Sequence, residues 1–332
     1  ANPSAIVLDE ESGEVIYQNN AYAGRKPASV IKLMSATAAY TYLNLEETFT
    51  TSVWTGMDSK SVVIQGTLDP WISFDSKVAD KMHRTSMPRL EYYALKTLKD
   101  ANQNSTRGTV IYFSNFHAQE IASLRAYLKQ QKAQTVIKWL STENAIAQSQ
   151  SLVFASSSPN LQTILDWTLT WSDNELAERI ARFAAEAAGN TADDQGVATT
   201  FNTMLADLGV STANLVVKDA SGLSKENRVT AYQVAQLLMV IKHDARYTRL
   251  IDGLPVGGLT GTLRKRFIET APNAIGLVKA KTGTLNGTAN LAGYVESAEQ
   301  RARAMVDKIL GKIASPLLPV ISPITESATV NN

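Results

Sequence analysis

The chain opens with two short β-rich runs, Ala5-Ile6-Val7-Leu8-Asp9 and Val15-Ile16-Tyr17-Gln18, separated by a polar Glu-Glu-Ser-Gly-Glu stretch. That pattern predicts a hairpin. After a polar loop, apolar Val30, Leu33, Met34, Ala38 and Tyr42 recur at helical spacing and predict a helix from about Ala28 to Tyr42. Pro27 suits its entry, because the fixed φ of proline is compatible with a first turn. From about residue 45 to 150, helix-like and strand-like runs alternate (Arg89–Lys99, Thr109–Ser114, Ala118–Lys129, Thr135–Trp139), as in a small α/β unit.

Helices dominate from Leu161 onward. One places Leu176, Ile180, Phe183, Ala184 and Ala187 on a single face, and another places Val234, Leu237, Leu238 and Ile241. Two strands around a Gly-Thr-Leu-Asn-Gly turn follow, over 276–295, then a helix from Arg301 to Ile313 and a loose, proline-containing tail. The expected organisation is a first unit, 1–45 together with 151–332, interrupted by an accessory α/β unit over 46–150. The first unit would carry a mixed sheet flanked by helices, making the chain α+β.

Composition narrows the chemistry. A chain of 332 residues with 44% hydrophobic and 19% charged residues is an ordinary globular protein, long enough for two cores. With 32 basic against 31 acidic residues there is no global field to attract nucleic acid, so a nucleic-acid partner is not expected. The absence of cysteine excludes thiol catalysis and cysteine-held zinc. Only His83, His117 and His243 are present, widely spaced, so neither a metal site nor another cofactor is expected. No Gly-x-Ser-x-Gly elbow supports a Ser-His-Asp triad. No apolar run approaches the roughly 20 residues needed to span a bilayer, and a peripheral membrane association would leave no mark in this sequence. The opening residues lack the charged and apolar regions of a signal peptide, so either none was present or one has been removed.

Three short motifs carry candidate chemistry. Ser29-Val30-Ile31-Lys32 puts a hydroxyl and an amine one helical turn apart, on one face. A desolvated lysine of lowered pKa can take a serine's proton, and a helix N-terminus offers N–H groups to an oxyanion. The same residues also read as a capping serine followed by a surface lysine. Ser172-Asp173-Asn174 opens an amphipathic helix, where Ser172 could be the N-cap with Glu175 completing a capping box. Ser158-Pro159-Asn160 has the same Ser-x-Asn form, but Asn174 at a stiff helix start is the better-positioned side chain. Lys281-Thr282-Gly283-Thr284 supplies a cation, two hydroxyls and a glycine against which a substrate backbone can lie, or simply an edge strand ending in a turn.

Taken together, Ser-x-x-Lys, Ser-x-Asn and Lys-Thr-Gly stand in the order that resembles the serine DD-peptidase superfamily. The 140-residue gap from Lys32 to Ser172 resembles the low-molecular-mass class C penicillin-binding proteins, D-alanyl-D-alanine carboxypeptidases/endopeptidases that carry inserted domains there. Gly66-Thr67-Leu68-Asp69-Pro70, Ser158-Pro159-Asn160-Leu161, Asp219-Ala220-Ser221-Gly222-Leu223-Ser224 with Asn227-Arg228, and Gly258 to Leu263 resemble further segments of that group.

The resemblance implies a DD-peptidase/β-lactamase-like fold with an inserted domain. It implies that Ser29 forms an acyl-enzyme, that Lys32 is its base, that Ser172 relays a proton to the leaving D-Ala, and that Lys281 tunes Ser172 or attracts the substrate carboxylate. Asn174 would hold the substrate amide, Thr282 and Thr284 the carboxylate beside Gly283, and the N–H groups of Ser29 and Thr284 the oxyanion. Peptidoglycan stem peptides would be the substrate, β-lactams the inhibitors, and the location extracytoplasmic, with a signal peptide removed. A β-lactamase or esterase of the same superfamily, or a non-catalytic peptidoglycan-binding protein, are the alternatives. One departure stands out: after Val295 no apolar run supplies the further strand expected before the last helix, so a strand near 296–300 is expected to be missing from the chain or replaced by the tail.

Overall fold

The structure, a computed structural model, describes residues 2–297. The helix expected over 301–313, the tail, and most of the stretch where a strand was expected to be missing lie outside the described residues. The first elements are the antiparallel hairpin of β1 (Ala5–Leu8) and β2 (Val15–Asn19). A 3-10 turn over Ala28–Ile31 then leads into α1 (Lys32–Tyr42). Helix α1 is buried along nearly its whole length. Ala36, Ala38 and Ala39 leave no bulk on its surface, so the alanine-rich face of α7 (Asn174–Ala187), with Ala177, Ala181 and Ala184, can pack closely on it.

The chain next builds β3 (Thr48–Gly56), β4 (Ser61–Gln65), α2 (Ser76–Met82), α3 (Met87–Ala101), β5 (Thr109–Ser114), α4 (Ala118–Gln130), β6 (Thr135–Trp139), α5 (Thr142–Gln148) and β7 (Ser149–Asn160). These strands form a mixed sheet in the order β6-β5-β4-β3-β7, parallel from β4 to β6 and antiparallel on both sides of β3. Helices α3 and α4 cover it, closing a core of Val53, Val62, Ile64, Leu90, Leu98, Ile111 and Leu124. β3 and β7 were not legible as strands, because serine and threonine crowd them. In the sheet those hydroxyls satisfy one another and the backbone: Thr50 Oγ1 meets Ser157 Oγ at 2.8 Å, and Phe49 N donates to Ser158 Oγ at 3.0 Å.

The second core surrounds α1 with α6 (Leu161–Trp171), α7, α8 (Asp194–Asp207) and α9 (Ala231–His243). Trp71, from the loop after β4, belongs to this core. The last hairpin, β8 (Val278–Leu285) with β9 (Thr288–Val295), is antiparallel as its sequence predicts. Among the described residues β1–β2 and β8–β9 are separate two-stranded pairs, and both rest on α9. The Tyr294 hydroxyl donates to the Leu238 carbonyl at 2.7 Å, while Lys242 pairs with Glu10 at 2.9 Å. Among the described residues no helix is long and apolar enough to cross a membrane.

Candidate active site

The turn that carries Ser29 is built before any helix begins. Ala28 is fully buried and holds φ +47°, a conformation that costs an L-residue free energy and persists only where surroundings enforce it. Two glycines supply that enforcement. Gly222, at φ +88°, lies so close that a Cβ there would stand 2.0 Å from the Ala28 carbonyl oxygen, and a Cβ on Gly283 would stand 2.6 Å from that of Pro27. The turn is thus clamped between the 218–224 loop and β8. Asn290 on β9 adds a tie by donating through Nδ2 to the carbonyls of Lys26 and Pro27, both at 2.8 Å.

Ser29 is partly open to solvent, whereas Lys32, one turn on, is wholly buried. Its Nζ lies 2.9 Å from Ser29 Oγ, 2.7 Å from Asn174 Oδ1 and 2.6 Å from the Ser221 carbonyl. Burial lowers the Lys32 pKa to about 8, against the opposing pull of Asp219, Glu178 and Asp173. The geometry fits both protonation states. An ammonium has three protons for three acceptors; a neutral amine gives two to Asn174 and Ser221 and turns its lone pair on Ser29.

Ser172 stands in the left-handed region at φ 62°, ending α6, and Asp173 rather than Ser172 is the N-cap of α7, accepting from Leu176 N at 3.1 Å. The expected capping serine is therefore corrected: the aspartate takes the cap, which releases the Ser172 hydroxyl to accept from Lys281 Nζ at 2.8 Å. Asn160, in the look-alike Ser158-Pro159-Asn160, is spent on capping α6. Lys281 is wholly buried on β8; burial, and then the charge of Lys32, lower its pKa to about 7. Thr282 Oγ1 donates to Thr262 Oγ1 at 2.8 Å, Gly283 is buried against the Ser29 turn, and Thr284 is exposed beyond it. The structure thus gathers Ser29, Lys32 and Asn174 into one hydrogen-bonded group and sets the Ser172–Lys281 pair beside it, near enough for the charge of Lys32 to act on Lys281, with Thr282 to Thr284 following along β8.

Residues outside the three short motifs complete the site. Glu178 accepts from the N–H groups of Ala220 and Ser221 at 3.1 and 2.9 Å, which aims the Ser221 carbonyl at Lys32. Its place four residues after Asn174, on the same helix face, was the available signal. Asp219 holds the same loop by accepting from Gly222 N, Ser224 N and Asn227 Nδ2. Asn290 gave no signal of its own, whereas Thr262 and Asp219 lie in the segments whose resemblance is given above, with no role attached to them there.

A sequence profile of the D-Ala-D-Ala carboxypeptidase 3 (S13) family matches this chain over residues 1–119 and 101–311. The chain belongs to this family. It is accordingly an enzyme of the serine-type D-Ala-D-Ala carboxypeptidase class, and its neighbours agree. Carboxypeptidase DacB of Mycolicibacterium smegmatis is 25% identical over 357 aligned positions, covering 93% of this chain and 76% of that protein. The D-alanyl-D-alanine carboxypeptidase of an Actinomadura species is 38% identical over 148 residues, a stretch that is 43% of this chain and 27% of that one. Among solved structures, penicillin binding protein 4 (dacB) of Haemophilus influenzae, complexed with a novel β-lactam, superposes with a TM-score of 0.67 at 18% identity, over 90% of this chain and 88% of the other. That likeness shows a shared fold of mixed α and β architecture.

Proposed function

We propose that this S13 enzyme cleaves the terminal D-Ala-D-Ala bond of peptidoglycan stem peptides through an acyl-enzyme on Ser29. The observation that carries the proposal is the buried Lys32 amine, 2.9 Å from Ser29 Oγ, with its other protons claimed by Asn174 and Ser221. The neutral amine takes the Ser29 proton as Oγ attacks the carbonyl carbon of the penultimate D-Ala. The oxyanion that forms is met by the N–H groups of Ser29 and Thr284; one such donor is worth about 10²–10³ in rate. Collapse of the intermediate breaks the peptide C–N bond. Ser172 passes its proton to the leaving amine and is resupplied from Lys281, the group 2.8 Å behind it. Asn174, held by Lys32, retains an amide nitrogen for the substrate backbone, while Thr282 and Thr284 address the terminal carboxylate. Water then releases the acyl group.

β-Lactams would acylate Ser29 in place of the peptide, a reading supported by the β-lactam held by the H. influenzae relative. Cleavage of cross-linked peptides, a DD-endopeptidase activity, uses the same steps with a larger leaving amine. Because peptidoglycan lies outside the cytoplasmic membrane, the enzyme works there. We also read the chain as two units, 1–45 with 151–332 for catalysis and 46–150 as an accessory insert; the separate core under the five-stranded sheet supports the division, although β7 carries that sheet on to Asn160, and Phe49 and Trp71 pack into the catalytic core. The test is intact-protein mass after exposure to benzylpenicillin, followed by peptide mapping. One penicillin per chain on the Ser29 peptide, absent in Ser29→Ala, is the expected result. An adduct that persists in that variant would sink the assignment, and rapid repeated turnover of penicillin would make the protein a β-lactamase.

A further inference from the structure

Arg84 lies on the segment that leaves the five-stranded sheet after β4 and returns at α3. Its backbone is fixed on both sides. Ser73 N donates to the Thr85 carbonyl at 2.8 Å, Met87 N donates to the Ser73 carbonyl at 2.9 Å, and Trp71 Nε1 donates to the His83 carbonyl at 3.3 Å. From this frame the guanidinium lies 4.1 Å above the Trp71 ring and 5.9 Å from that of Trp167 on α6. A planar cation stacked this way surrenders its rotational freedom before it meets any partner. Its Nη2 ends 3.6 Å from Asp173 Oδ2.

Asp173 is the residue between Ser172 and Asn174. Its Oδ1 caps α7, so the oxygen facing Arg84 is the one the helix does not use. A second tie of opposite polarity holds the same helix further along: buried Arg179 on α7 donates to Glu120 on α4 at 2.8 Å. The inserted region therefore grips α7 twice, with a cation at its N-cap and an anion nearly two turns later. A helix held at two such points resists both sliding and rolling.

We propose that Arg84 is a positioning residue of the catalytic machinery: through Asp173 it fixes the Ser172 hydroxyl and the Asn174 amide against the amines of Lys281 and Lys32. The proposal rests on the roles given above to Ser172 and Asn174. Hydrogen bonds of 2.7 and 2.8 Å to those amines tolerate little displacement, and misplacement by about 1 Å can cost 10²-fold in rate.

The test is a double-mutant cycle on benzylpenicillin acylation, with the rate constant expressed per acylable site. Arg84→Ala and Asp173→Asn are each expected to slow acylation about 10- to 100-fold, and the double variant to be no slower than the worse single. A pH profile adds a signature. The carboxylates around Lys32 are Asp219, Glu178 and Asp173, and its cationic neighbour is Lys281. Asp173→Asn should move the acid midpoint down, by removing one carboxylate. Arg84→Ala should move it up, by leaving Asp173 unneutralised. A residue that only supported the fold would lower the number of acylable sites and leave rate and midpoint alone. Wild-type rates in both singles, or losses that multiply in the double, overturn the proposal. Should Arg84→Ala not fold, Asp173→Asn decides alone, since asparagine caps a helix as well as aspartate does. Ser172→Ala and Asn174→Ala separate the two levels. If they acylate normally, the catalytic roles fail and the positioning role with them; if they are slow while the Arg84 and Asp173 variants are normal, only the positioning role fails.

Discussion

Lys32 and Lys281 are both wholly buried, and among the described residues neither has a carboxylate within ion-pairing distance. Desolvation brings their pKa values down to about 8 and about 7, so the two amines share protons near neutrality and titrate as a pair. On the proposed mechanism the productive state has one proton between them, on Lys281 with Lys32 free to accept from Ser29; because Lys32 has the higher pKa, this is the minor of the two one-proton forms, and its population rises and falls with their sum. Below about pH 7 the pair gains a second proton and Ser29 loses its base; above about pH 8 it loses the last one. Acylation by penicillin is therefore expected to follow a bell with its maximum between these values, falling about tenfold per pH unit on the acid side. Stopped-flow rates from pH 5 to 10 test this, and a rate that stays flat down to pH 5 would refute it. At this scale the sequence was informative through order: Ser-x-x-Lys alone is commonplace, but it is followed in turn by Ser-x-Asn and Lys-Thr-Gly. It was silent about the Ser221 carbonyl, since a main-chain acceptor carries no residue identity.

The elements show where sequence reasoning blurs. The predicted helix from Ala28 is a 3-10 turn followed by α1 proper, and the difference matters because the strained turn, not the helix, carries Ser29. Strain of that kind is imposed by neighbours far away in the chain, so no local pattern announces it. Asn290 is one such neighbour. Replacing it with alanine removes two hydrogen bonds, each worth about 0.5–1.5 kcal/mol net, from the carbonyls of Lys26 and Pro27. Asn290→Ala is expected to lower the melting temperature by several degrees and to slow acylation measurably more than it weakens the fold. Calorimetry beside acylation kinetics checks both; unchanged kinetics would mean that β9 only props the turn passively. Helices α7 and α9, which apolar periodicity places at 174–188 and 230–242, came out within a residue of those bounds because their buried faces follow the helical repeat. β3 and β7 did not, because their ladder depends on each other and neither alternates clearly.

For the whole molecule, the order of the motifs foretold the fold family, while the joint between the two cores was hidden. The buried Arg179–Glu120 pair and the Arg84–Asp173 pair cross that joint, and nothing marks either as a pair until the chain is folded. The packing of the Ser29 turn against Gly222 and Gly283 has a consequence in time. A ribosome makes the serine about 250 residues before the strand that closes over it. Until β8 arrives, the turn that carries Ser29 is held on one side only, by the loop around Gly222, and Lys281 is not there to serve Ser172. A growing or clipped chain should thus carry no hydrolytic hazard for the cell that makes it. Fragments ending before Val278 are expected to take up no labelled penicillin, and addition of the missing C-terminal piece should restore labelling if the two associate. Labelling of such a fragment alone would show that the turn holds its shape without its lid.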